Sequence, residues 1–94
     1  MKKYIEYEEF YDMIEQMKPE QTLIFTVEDV DGEESDYKFY CTTFSNREII
    51  LYDGPNAEIG IIQDYCGMLD YDDLMEAVWY GLTNDEEYKV LIKN

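Results

Sequence analysis

Apolar side chains recur at Tyr7, Phe10, Ile14 and Met17, with Met13 beside them. This is the spacing of one buried stripe, so it predicts a helix from Lys3 to Lys18, stopped by Pro19. The other side of that helix carries Glu8, Asp12 and Glu15 near one face, about 5 to 6 Å apart along the axis at about 1.5 Å rise per residue. The period then changes to two. In "QTLIFTVEDV" the residues Leu23, Phe25 and Val27 alternate with Ile24, Thr26 and Glu28, and "SDYKFYCTT" repeats the alternation with Tyr37, Phe39 and Cys41. Asp31-Gly32 between them is a tight-turn dipeptide, so the two runs predict a hairpin. "REIILYD" (47–53) predicts a third strand, turned by "DGPN", and "AEIGIIQ" (57–63) a fourth, with Gly60 weakening it or marking a bulge.

Helical spacing returns over residues 70–82 through Tyr71, Leu74, Val78 and Leu82, with Met75 and Trp79 on a flank. Asp70 is placed to cap this helix, and Asp72 and Asp73 fall in its first turn, where the helix dipole favours negative charge. In the tail Tyr88, Val90 and Ile92 alternate as in a strand, whereas the acids at 85–87 would suit a last helical turn; the strand is preferred. The expected fold is α+β: an N-terminal helix, a mostly antiparallel sheet of three to five strands, a second helix and a C-terminal strand. No internal repeat or linker interrupts the chain, and 94 residues suit one domain, which at this size buries roughly 60 to 68% of its unfolded surface.

Charge changes this picture. The chain has 23 acidic and 7 basic side chains and no histidine, for a formal net charge of −16, a balance that by itself suggests disorder. The 46% hydrophobic and 16% aromatic content, with ten tyrosines, instead indicates a packed core under an anionic surface. Direct binding to nucleic acid or to an anionic membrane is disfavoured, because both need lysines and arginines facing phosphates. Glu6, Glu8 and Glu9 stand where a signal peptide needs an apolar run, and no stretch approaches the roughly 20 apolar residues of a membrane span, so a cytoplasmic protein is expected. Cys41 and Cys66 are too few for a disulfide scaffold and are expected as two small buried thiols.

So many carboxylates invite a metal or catalytic reading. An EF-hand loop begun at Asp29 fails, since its sixth position is Glu34 rather than glycine and its twelfth is Tyr40. Zinc lacks histidine and a close cysteine pair, and nucleophilic catalysis lacks a histidine base and any GxSxG or P-loop pattern. Adjacent carboxylates carry little meaning among 23 acids. No cofactor, no metal and no enzymatic activity are expected.

The acids recur on every element. Duplex DNA carries one charge per roughly 1.7 Å, which a single helix with acids every 5 Å or so cannot match, while several elements sharing one face approach it. The competing explanation is a solvating shell. Ten tyrosines exceed what a small core readily holds, so some of Tyr4, Tyr7, Tyr11, Tyr40, Tyr52, Tyr65, Tyr71 and Tyr80 are expected at the surface among acids, a combination suited to an arginine-rich partner.

The stretches "YIEYEEFYDMIEQ", "EDVDGEESDYKFY" and "DYCGMLDYDDLMEAVWYGL" give the chain the size, charge and Tyr/Asp/Glu texture of small acidic inhibitors from bacteriophages and mobile elements. It resembles the DNA-mimicking anti-restriction and anti-CRISPR proteins in this compositional respect. The resemblance implies a host-cytoplasm protein without cofactor that occupies the nucleic-acid site of a basic nuclease, restriction enzyme or CRISPR effector. Acidic toxin-neutralising proteins share the same physics. The expected partner-binding residues are Glu6, Glu8, Glu9, Tyr11, Asp12 and Glu15 on the first helix, Asp29, Asp31, Glu33, Glu34 and Asp36 around the hairpin turn, and Asp70, Asp72 and Asp73. The alternative is a structural or regulatory interaction module, a homo-oligomer among the options, whose acidity serves solubility and whose contact is an apolar or tyrosine patch.

Overall fold

A computed structural model describes residues 2–44, 47–54, 57–62 and 71–93 of the chain. Phe10, Ile14 and Met17 are buried as their spacing requires, but the helix is shorter than expected and ends before Met17. Helix α1 spans Tyr7–Glu15, and the residues before it form a strand, β1, at Lys2–Ile5. The boundary lies at Glu6, whose backbone is extended (φ −101°, ψ 170°) and whose N–H donates to the Glu9 carboxylate at 3.4 Å. Glutamate is an uncommon residue for this capping position, and the partner that makes Lys2–Ile5 a strand lies at the far end of the sequence. Neither signal is local.

The remaining strands are β2 (Thr22–Glu28), β3 (Glu34–Phe44), β4 (Arg47–Gly54), β5 (Ala57–Ile62) and β6 (Lys89–Lys93), with helix α2 (Tyr71–Thr83) between the last two. All pairings are antiparallel, in the order β1-β6-β2-β3-β4-β5. The fold is α+β, with six strands where three to five were expected, β1 being the addition. The tail forms the strand that its alternation favoured. The β4–β5 register shifts between Tyr52 and Gly54, beside the Tyr52–Gly60 pair, so the irregularity signalled by Gly60 lies here.

Turn chemistry fixes the β2–β3 hairpin. The Asp29 carboxylate accepts the N–H groups of Asp31 and Glu33, each at 2.9 Å, and Gly32 takes the positive φ (+83°) that closes the loop. A Cβ at Gly54 would run into the Tyr37 ring, so that close approach admits only glycine.

Alternation along the strands gives the sheet two unlike faces. Ile5, Phe25, Val27, Tyr37, Phe39, Cys41, Ile50 and Val90 point to one side, and both helices pack there through Phe10, Ile14, Met75, Val78, Trp79 and Leu82, with Met17 joining them just past the end of α1. Phe10 lies at the centre, its ring 5.0 Å from Phe25, 5.7 Å from Phe39 and 5.2 Å from Trp79. Cys41 is buried as expected; Cys66 and Asp70 lie outside the described residues. Among the described residues no helix is long and apolar enough to cross a membrane, and no group of three or more His, Cys, Asp or Glu side chains could hold a metal ion.

Candidate functional site on the helix layer

Burial of the apolar stripes turns the polar stripes outward, and in both helices those stripes are acidic. Residues 4–17 contain five acids and residues 71–88 six, with no lysine or arginine in either segment. Two contacts orient the helices: the Tyr7 ring lies 5.8 Å from Trp79, and the Tyr11 hydroxyl donates to the Asp72 carboxylate at 2.6 Å. The earlier residue of α1 thus meets the later part of α2, and the helices run antiparallel.

Between them lies an open groove of about 390 Å³, lined by Tyr7, Glu8, Tyr11, Asp12, Asp72 and Glu76. Tyr7 and Tyr11 meet edge to face at 6.1 Å and are half-buried, while the four carboxylates stand exposed around them. A hydroxyl donating to a carboxylate at 2.6 Å is a charge-assisted bond, so Tyr11 ties the first turn of α2 to α1. Burial, then the charges of Glu76 and Asp72, then Tyr80, hold the Tyr7 phenol above its ordinary pKa, because each disfavours a phenolate. Glu15 and Asp73 extend the exposed acidic surface along each helix, and Tyr80 stands 44% exposed one turn beyond Glu76.

The expected site residues therefore separate into groups. Glu8, Tyr11, Asp12, Glu15, Asp72 and Asp73 share the helix layer. Glu6 and Glu9 serve the start of α1, and Glu9 also lies 3.8 Å from Lys3, an exposed pair that contributes little. The hairpin acids are elsewhere: Asp29 is occupied by its own loop, Asp36 accepts from Thr26 at 2.8 Å, Glu34 is half-buried at the start of β3, and Asp31 and Glu33 are exposed at the tip. Glu76, Tyr7 and Tyr80 complete the layer without having been singled out as site residues. The signal for Glu76 and Tyr80 was the four-residue spacing from Asp72, legible once Asp72 is known to face α1.

The groove offers carboxylates and aromatic faces, the chemistry that receives guanidinium and ammonium groups. Compared with known proteins, the chain matches no protein-family model, no curated protein and no solved structure.

Proposed function

We propose that the protein is a non-enzymatic inhibitor that presents its helix layer to the nucleic-acid site of a basic protein, of the nuclease, restriction-enzyme or CRISPR-effector kind, in the cytoplasm. The observation that carries this reading is an acidic groove with no cation in it. Glu8, Asp12, Asp72 and Glu76 surround Tyr7 and Tyr11 between two antiparallel helices, Glu15 and Asp73 are exposed on the same helices, and residues 4–17 and 71–88 hold no lysine or arginine. A cleft built to neutralise phosphates meets an anionic surface here, and the tyrosines supply the rigid contact area that discriminates between partners.

Occupation of this kind needs no bond making. It predicts association that is fast at low salt and falls steeply as salt rises. The test is capture from a bacterial lysate with the tagged protein, using wild type, a helix-layer variant (Glu8→Gln, Asp12→Asn, Asp72→Asn, Glu76→Gln) and a control losing equal charge elsewhere (Asp31→Asn, Glu33→Gln, Asp53→Asn, Asp85→Asn). The expected result is one nucleic-acid-binding protein held by wild type and control, released between about 50 and 200 mM salt and by its own nucleic acid, and lost from the helix-layer variant. Equal loss in both variants, or capture indifferent to nucleic acid, overturns the reading.

A further inference from the structure

The sheet face turned away from the helices has a different composition. Tyr4, Ile24, Asp36, Lys38, Asp53 and Lys89 stand exposed on it, while Thr26, Ile49 and Leu91 are buried there outside the main core cluster. Ile24 is 56% exposed at its centre, a β-branched apolar side chain open to water on a strand flanked by two others. Tyr4 reaches across β6 to donate to Glu28 at 3.2 Å and lies under the Lys89 ammonium, 5.3 Å from its ring centre. This covers Leu91, which is fully buried without any helix over it.

The charges here are interleaved. Lys38 pairs in register with Asp53 on one side and Ile24 on the other, and Lys89 pairs with Glu28. Two exposed lysines thus stand among Glu28, Glu34, Asp36 and Asp53, so that this face bears both signs where the helix layer bears one. We propose that this face is the contact for a second copy of the same chain, packed sheet against sheet about a two-fold axis, with both acidic helix layers outward.

Charge complementarity selects that occupant. Two copies of a molecule with net charge −16 repel, and contact through the helix layers would set acid against acid. A face bearing both signs is self-complementary under a two-fold rotation, because each copy offers carboxylates to the other's lysines around a shared apolar centre at Ile24 and Leu51. Six strands at about 4.8 Å spacing and roughly 20 Å of strand length give a flat area on the order of 500 Å² before side-chain relief, below the roughly 800 Å² per partner of standard interfaces and in the range of weak, reversible contacts. The dimer is accordingly concentration-dependent.

Sedimentation velocity of the full chain at protein concentrations from about 5 to 200 µM, in about 50 and 300 mM NaCl, tests this, with circular dichroism as a check on folding. The expected result is a monomer–dimer equilibrium that tightens several-fold at the higher salt, where mutual repulsion is screened. Ile24→Glu and Lys38→Glu each weaken it by at least about tenfold, and Asp73→Lys on the helix layer does not. A monomer throughout, or a dimer that survives both sheet-face variants, overturns the proposal. Dimerisation gains from salt while capture by the helix layer loses from it, so either proposal fails without the other.

Discussion

The two outer surfaces of this molecule are built on one core and carry unlike electrostatics, one acidic and one of mixed sign. Above the sheet, two antiparallel helices present Glu8, Asp12, Glu15, Asp72, Asp73 and Glu76 with no cation among residues 4–17 or 71–88. Below it, Lys38 and Lys89 sit in register with Asp53 and Glu28 around an exposed Ile24. A charge of −16 spread evenly would be read as a solubility device. What gives the helix layer a direction is that its acids stand without a cation among them, since solubility requires net charge but no side kept free of the opposite sign.

The contrast can be broken at its common support. Phe10 touches Phe25 and Phe39 of the sheet and Trp79 of α2, so Phe10→Ala should cost about 3 to 5 kcal/mol in denaturant unfolding. That is a large share of the roughly 5 to 15 kcal/mol that holds a domain folded, and both faces should lose their properties together. A variant that unfolded one layer alone would show that the faces do not share a core.

Tyr11→Phe isolates the helix layer. It deletes the 2.6 Å bond to Asp72 while keeping the ring, and should cost about 1 kcal/mol of stability, because the pair is partly exposed. The measurement is chemical denaturation of both proteins; no change would mean that the hydroxyl exchanges freely with water.

Neutralising Asp12 and Glu76 to Asn and Gln should raise stability by a few tenths of a kcal/mol each at low salt and by almost nothing at high salt, since like charges are being removed. Lys38→Gln on the sheet face should have the opposite sign. Thermal melts at two salt concentrations report both, and stabilisation by all three substitutions would erase the electrostatic distinction between the faces.

The smallest effect is at alkaline pH. Burial first, then the neighbouring carboxylates, raise the folded-state pKa of Tyr7, so the folded protein holds its proton more tightly than the unfolded chain. That contribution is fully present below the ordinary phenol pKa near 10 and is lost as pH rises through the higher folded value. Ultraviolet titration should find late-titrating phenols at Tyr7 and at Tyr40, whose hydroxyl donates to Glu20, and Tyr7→Phe should remove one of them. An unchanged profile would place that late phenol elsewhere.

Local periodicity made much of this architecture legible. Tyr7, Phe10, Ile14 and Met17 announce α1, the Phe25 and Phe39 alternations announce the central strands, and Asp31-Gly32 announces their turn. What escaped was set by partners distant in sequence. Lys2–Ile5 is a strand because β6 lies beside it, and nothing within those four residues distinguishes a strand from the first turn of a helix. The site divided in the same way. The acids of α1 were identifiable from their spacing, but only the fold brings Asp72 and Glu76 across from them. The same fold removes the hairpin acids, because Asp29 spends its carboxylate on its own loop.

The position of β6 between β1 and β2 bears on how the chain acquires its structure during synthesis. Strands β2 to β5 are joined in sequence order and can pair as they emerge from the ribosome, each contact closing a short loop. β1 waits with no neighbour until residues 89–93 arrive to fill the slot beside it, and that closure links Lys2 to Lys93. Completion of the sheet is therefore the late, slow event, and until then the open edge of β2 is the nascent chain's most exposed point for mispairing.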